Sequence, residues 1–185
     1  MLKHFITNNQ RFKPIDPEYR QVYLINGMLL GMVVIFTFFF FVNLAFFSLY
    51  SVALLDFIAA VLATTILRRF QVSNNVRKGA NHTVLLLGTF LIGYLYFAAP
   101  AFYSLYWLCI FPPLAFFLLG RVRGLVATVV FMGGLVGLLS WRASTWPAAS
   151  FTPESLLNVV LASVCLVLLV HYYEVSRSEV FRALT

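Results

Sequence analysis

With 185 residues, 62% of them hydrophobic and only 10% charged, the chain lies far from the soluble average of about 25% charged residues. The formal net charge of +7 does not point to nucleic acid, because the basic residues sit at the ends of apolar runs and form no patch. Six spans of about 20 residues would take up most of the length and leave no room for a separate soluble domain.

Residues 1–21 read as a polar cytoplasmic arm carrying Lys3, His4, Arg11, Lys13, Asp16, Glu18 and Arg20. The apolar run that follows starts too late and runs too long for a cleaved signal peptide. The first two spans are expected at 22–42 and 48–67, joined by an uncharged turn at 43–47. A polar connector at 68–79 contains Arg68, Arg69, Arg77 and Lys78 and the turn formers Ser73, Asn74 and Asn75. The third span is expected at 82–99, ended by Pro100, the fourth at about 103–119 and the fifth at 125–141. The sixth runs from 154 to about 173, with Thr152 and Pro153 as its cap and first residue. Residues 22–173 are thus expected to form an all-α, six-helix transmembrane domain with short loops, and 174–185 the start of a cytoplasmic stalk helix.

Twelve of the thirteen Lys and Arg residues fall on one side of this arrangement, with Arg142 alone on the other. The positive-inside rule then places both termini in the cytoplasm, in agreement with an even number of spans.

The fourth span contains Pro112 and Pro113. Two missing amide donors deprive the carbonyls of Leu108 and Cys109 of their usual partners, so the helix must kink or break there. Neighbouring helices can repair such a kink, and a broken span can also line a cavity. Gly120, Arg121, Arg123 and Gly124 make a tight basic turn into the fifth span. Gly27 with Gly31, and Gly133 with Gly137, are small-residue pairs that mark helix-packing faces.

Asp56 is the one acidic residue deep in a span, about 12 Å along the helix from Ser48 and so near mid-membrane. Placing Asp at a helix centre costs about 2.5–3.5 kcal/mol, which turns it toward the bundle interior. Two readings stand: a ligand, proton or ion site, or a neutral carboxyl bonded across helices. Asn43, Tyr50, Tyr94, Tyr103, Tyr106, Trp107, Trp141, Arg142, Trp146 and Asn158 fall toward the outer half. The aromatics among them suit an interfacial belt. With Asp56, Pro112 and Pro113, the set Asn43, Tyr94, Tyr103, Trp107, Trp141, Arg142 and Asn158 also suits an outward-opening ligand pocket, Arg142 attracting an anionic group.

His82 and His171 sit at span ends as interfacial residues, and neither belongs to a metal set. Cys109 and Cys165 read as small core residues with no disulfide or ligand spacing. No HExxH, CxxC, phosphate-cradling glycine loop or carboxylate pair is present, so no catalytic residue, metal or cofactor is expected in this chain. Past the sixth span, His171 leads into Tyr173, Arg177, Val180 and Leu184 at coiled-coil-like spacing, which suits either a solvated helix end or a signalling stalk.

Three segments, FKPIDPEYR, YWLCIFPPLAFFLLGRVRG and HYYEVSRSEVFRALT, together resemble the six-span membrane-associated sensor regions that begin bacterial signalling proteins. The resemblance is strongest to the sensors of diguanylate cyclases with a GGDEF output domain, which make c-di-GMP, and extends to some histidine kinases. It implies a homodimer in the bacterial inner membrane whose spans sense a small or lipid-like ligand and whose stalk controls a C-terminal output domain. The GG[DE]EF motif itself is absent, so no nucleotide or Mg²⁺ site carries over. One reading is a sensory input module, either whole or a piece of a longer protein. The other reading is a small transporter or lipid-binding membrane protein, motivated by Asp56 and the broken fourth span.

Overall fold

The computed structural model describes Asn8, Phe12, residues 18–98 and 107–142, and Leu161, Ala162, Cys165 and Leu169. Among the described residues up to 142, five helices follow one another: α1 (Tyr19–Ala45), α2 (Tyr50–Ser73), α3 (Val76–Phe97), α4 (Phe111–Leu119) and α5 (Arg121–Arg142). No strand occurs among the described residues. Helices α1, α2 and α3 are each long and apolar enough to cross a membrane, and 107–119 and 122–138 are shorter apolar helical stretches. Leu161, Ala162, Cys165 and Leu169 are helical, within the run expected to form the last span.

Helix α1 buries Val22, Ile25, Leu29, Met32, Phe36 and Asn43, a stripe at alternating three- and four-residue spacing that continues through half-buried Phe39. That spacing keeps one seam facing a partner helix. The principal partner is α2, whose buried face is Val52, Ala53, Asp56, Ala59, Ala63, Leu67 and Phe70. The three alanines let the two backbones approach closely, the usual device where lipid removes the hydrophobic drive between helices. The opposite faces carry exposed Val34, Phe38, Phe41, Leu54 and Phe57, as lipid-facing surfaces require.

This alanine face is not one of the glycine pairs expected from sequence. A Cβ on Gly31, Gly133 or Gly137 would meet nothing within 4 Å, so these glycines pack against no described neighbour. The close approaches are elsewhere. A Cβ on Gly79 would lie 2.6 Å from the Phe70 ring, and one on Gly124 would lie 2.7 Å from the Phe116 Cα.

The connector expected at 68–79 is almost entirely helical. Arg, Lys and Gln are good helix formers, and nothing interrupts α2 until Asn74, which adopts the left-handed conformation (φ 53°) and donates its N–H to the Phe70 carbonyl at 2.8 Å. Asn75 then caps α3 by accepting the Lys78 N–H at 3.0 Å. At the far end of α1 the helix likewise continues through Asn43 to Ala45, so Asn43 lies in its last turn and not in the loop.

At its prolines the fourth span does not break but changes from 3₁₀ to α-helix. A 3₁₀ turn covers 107–110, and α4 begins at Phe111 with both prolines in its first turn, where a missing N–H costs nothing. Only Gly120 separates α4 from α5. Its φ of +77° favours glycine, and its N–H donates to the Phe116 carbonyl at 2.9 Å. Cys109 is exposed and Cys165 half-buried, so the first is not the core residue expected; neither forms a disulfide.

Candidate functional site

Asp56 is 2% exposed and Asn43 6%, and the Asn43 Nδ2 donates to Asp56 Oδ2 at 2.7 Å. The sequence makes this pair by register: Asn43 continues the buried stripe of α1, and Asp56 lies among the alanines of α2. The backbone around it is fixed as well, since the Leu49 N–H donates to the Asn43 carbonyl at 2.9 Å. Asp56 thus turns inward, nearer one end of α2 than the other. At about 1.5 Å per residue it lies about 9 Å from the start of α2 and about 25 Å from its end, close to the turn.

One helical turn before Asn43, the Phe39 ring packs edge-on against Trp107 with centroids 6.5 Å apart. Phe36 packs on Phe90 at 4.2 Å, and Phe90 stacks on Tyr94 at 6.1 Å. These contacts make an aromatic layer along α1, with Trp107 of the 3₁₀ turn on Phe39 and Tyr94 of α3 reaching Phe36 through Phe90. Pro112 and Pro113 are half-buried. Beside them Phe111 stacks on Phe131 at 4.0 Å, in the space that Gly88 leaves on α3. Trp141 is 70% exposed, as a residue of an interfacial belt would be. Arg142 ends α5, and its side chain lies outside the described residues. Tyr103, Asn158, His171, Tyr173, Arg177, Val180 and Leu184 also lie outside them.

Sequence reasoning missed a second polar cluster. Asn26 Nδ2 donates to Asn8 Oδ1 at 2.8 Å, and Asn8 Nδ2 donates to Asn74 Oδ1 at 2.9 Å. One side chain of the N-terminal arm thus bridges α1 to the α2–α3 connector, and both Asn8 and Asn26 are buried. The visible signal was Asn26, a polar residue inside the first apolar run. Among the described residues no group of His, Cys, Asp and Glu is arranged to hold a metal ion.

These features amount to a helical membrane bundle with a buried Asn–Asp pair, an aromatic layer and no catalytic constellation among the described residues. The family model MASE6, a membrane-associated sensor domain family, matches residues 18–184. The chain belongs to the MASE6 family. That match covers every helix described and confirms the membrane-sensor resemblance drawn from its segments. No curated protein and no solved structure matches this MASE6 chain.

Proposed function

We propose that this MASE6 chain is the sensory input domain of an inner-membrane signalling protein, with six spans and both termini in the cytoplasm. It binds a small or lipid-like signal within the bundle and, as a homodimer, passes the result through a stalk beginning near His171 to a C-terminal output domain, a diguanylate cyclase. The observation that carries this reading is the family match, which runs through the bundle and on through the stalk residues to 184. The Asn43–Asp56 pair and the aromatic layer around Tyr94 and Trp107 support a signal site at the outer end. A ligand there biases output only through different affinities for two arrangements of the spans, and rigid helices carry that difference to the stalk.

The test fuses the chain to a dimerisation-dependent reporter and inserts one to four residues after Tyr173. Output is expected to vary with helical phase. Output indifferent to every insertion overturns the stalk reading and favours a transporter. Topology is checked separately in a background with Cys109 and Cys165 replaced by Ser. A cysteine at Asn75 is expected to be protected from an impermeant reagent outside intact cells, and one at Ala148 to be labelled.

A further inference from the structure

The end of the bundle away from Asp56 holds a cavity of about 110 Å³ that the sensor reading does not use. A water needs only about 10–15 Å³ of such volume, so this space takes a group several times larger. Its polar lining comes from three helices: Glu18 and Gln21 at the start of α1, Arg77 and Asn81 in the first two turns of α3, and Arg123 in the first turn of α5. Leu118 and Leu119, at the end of α4, close one wall. Gln21 reaches across it, with Nε2 donating to the Leu118 carbonyl at 3.5 Å.

Two guanidinium groups against one carboxylate leave the lining net positive. The remaining polar side chains, Gln21 and Asn81, bring amide donors. Guanidinium forks match the oxygens of a phosphate, and the adjoining first turns of α1, α3 and α5 add a field of the same sign. Arg77 and Arg123 are exposed, so they are accessible from the aqueous boundary while the leucines face the bundle. In a bilayer this is the level at which α1 and α3 emerge from the apolar layer, where phospholipid phosphates lie.

We propose that this cavity binds a phosphate group, with Arg77 and Arg123 as its charged ligands and Gln21 and Asn81 as donors. It is presented by the head group of an anionic phospholipid or taken as free phosphate from the adjoining aqueous phase. The site requires that the helices cross a bilayer but not that the chain drive any particular output, so it stands or falls apart from the stalk. It joins the beginnings of α1, α3 and α5, so its occupant holds those three helix ends together.

The test uses the full chain in nanodiscs of phosphatidylcholine alone or mixed equally with phosphatidylglycerol, with release into neutral detergent and native mass spectrometry to count retained lipid. Retention of phosphatidylglycerol is expected. It should fall on the order of tenfold in Arg77→Gln/Arg123→Gln and stay unchanged in Arg68→Gln/Arg69→Gln, which removes the same charge outside the cavity. Glu18→Gln removes the opposing carboxylate and is expected to raise retention, which keeps the proposal testable if the double arginine variant does not fold. A second arm measures the thermal stability of lipid-free protein with inorganic phosphate against chloride at equal ionic strength. Stabilisation there that depends on Arg77 and Arg123, with no lipid retained, assigns the site to free phosphate. The proposal is overturned if neither arm responds, if both arginine pairs behave alike, or if Glu18→Gln lowers binding.

Discussion

Where α1 turns into α2, the buried polar side chains are closed on each other: Asn43 donates to Asp56 at 2.7 Å, and both lie in the seam between two helices. Where α2 turns into α3 and α4 into α5, the polar groups instead draw on three elements at a time. Asn8 ties α1 to the connector, and beside it Gln21, Arg77 and Arg123 line a cavity. The first arrangement cements a helix pair, because its groups are already matched and releasing them exposes a donor and an acceptor to apolar surroundings. The second presents charge to whatever lies alongside. The two ends therefore differ in how their polar groups are matched: one pair closed on itself at the first, a bridge and a charged cavity at the second.

The largest effect is expected at the α4–α5 turn, where the end that holds the cavity is most tightly built. Gly124→Val places side-chain atoms against the α4 backbone, where even a Cβ would lie 2.7 Å from Phe116 Cα and 2.9 Å from the Ala115 carbonyl oxygen. Backbone cannot move aside as a rotamer can, so α4 and α5 must part. The cost is at the upper end of the 1–3 kcal/mol of overpacking, about 3 kcal/mol. Gly133→Val, with nothing within 4 Å of its Cβ, is the control. Monodisperse yield in detergent is expected to collapse for the first and hold for the second.

Next in size is the closed end. Asp56→Leu leaves the Asn43 donor buried without its acceptor, a loss of about 1–3 kcal/mol. Asp56→Asn retains an acceptor oxygen and loses less, near the average of about 0.6 kcal/mol for polar contacts between membrane helices. Thermal unfolding in detergent separates the two. Equal losses would mean that the charge of Asp56, and not its hydrogen bond, holds the seam.

The contrast between the ends was only partly legible in the sequence. Apolar runs located α1, α2 and α3, and the basic residues near 68–79 and 121–123 marked one end. Asp56 stood out because a lone acid in an apolar run has to be matched. Its partner Asn43 falls in the turn expected at 43–47, since run length alone does not show that a helix continues through a polar residue in its final turn. The alanine face of α2 gives no signal of its own because alanine is common, and only register shows that Ala53, Ala59 and Ala63 share a side with Asp56. The bridge through Asn8 depends on an arm folding back on the bundle, a contact between positions 66 residues apart that no local pattern encodes.

That bridge supplies the next prediction. Asn8→Ala removes two hydrogen bonds and releases the arm from Asn26 and Asn74, a loss of about 1 kcal/mol at the average membrane value for each bond. The melting temperature in detergent is expected to fall. Asn74→Ala should fall further than its share of the network, because Asn74 also holds the left-handed position that ends α2. A melting temperature unmoved by Asn8→Ala would remove the arm from the architecture of this end.

The smallest expected effect comes from Asn75, which lies at the same end but belongs to neither the bridge nor the cavity lining. Its side chain accepts the Lys78 N–H at 3.0 Å, and loss of such a cap typically costs about 1 kcal/mol. Here α3 is also held by packing through Gly79, Ala80 and Thr83, so Asn75→Ala is expected to cost at most about that. Asn75→Asp preserves the acceptor and places negative charge at a helix start, so it should match the native melting temperature. The same change brings a carboxylate near Arg77, which lowers the positive potential of the cavity. Phosphatidylglycerol retention is therefore expected to weaken in Asn75→Asp and to persist in Asn75→Ala, the reverse of their order in stability. A retention that simply followed melting temperature through both variants would mean that this end binds only as well as it folds, and its distinction from the closed end would disappear.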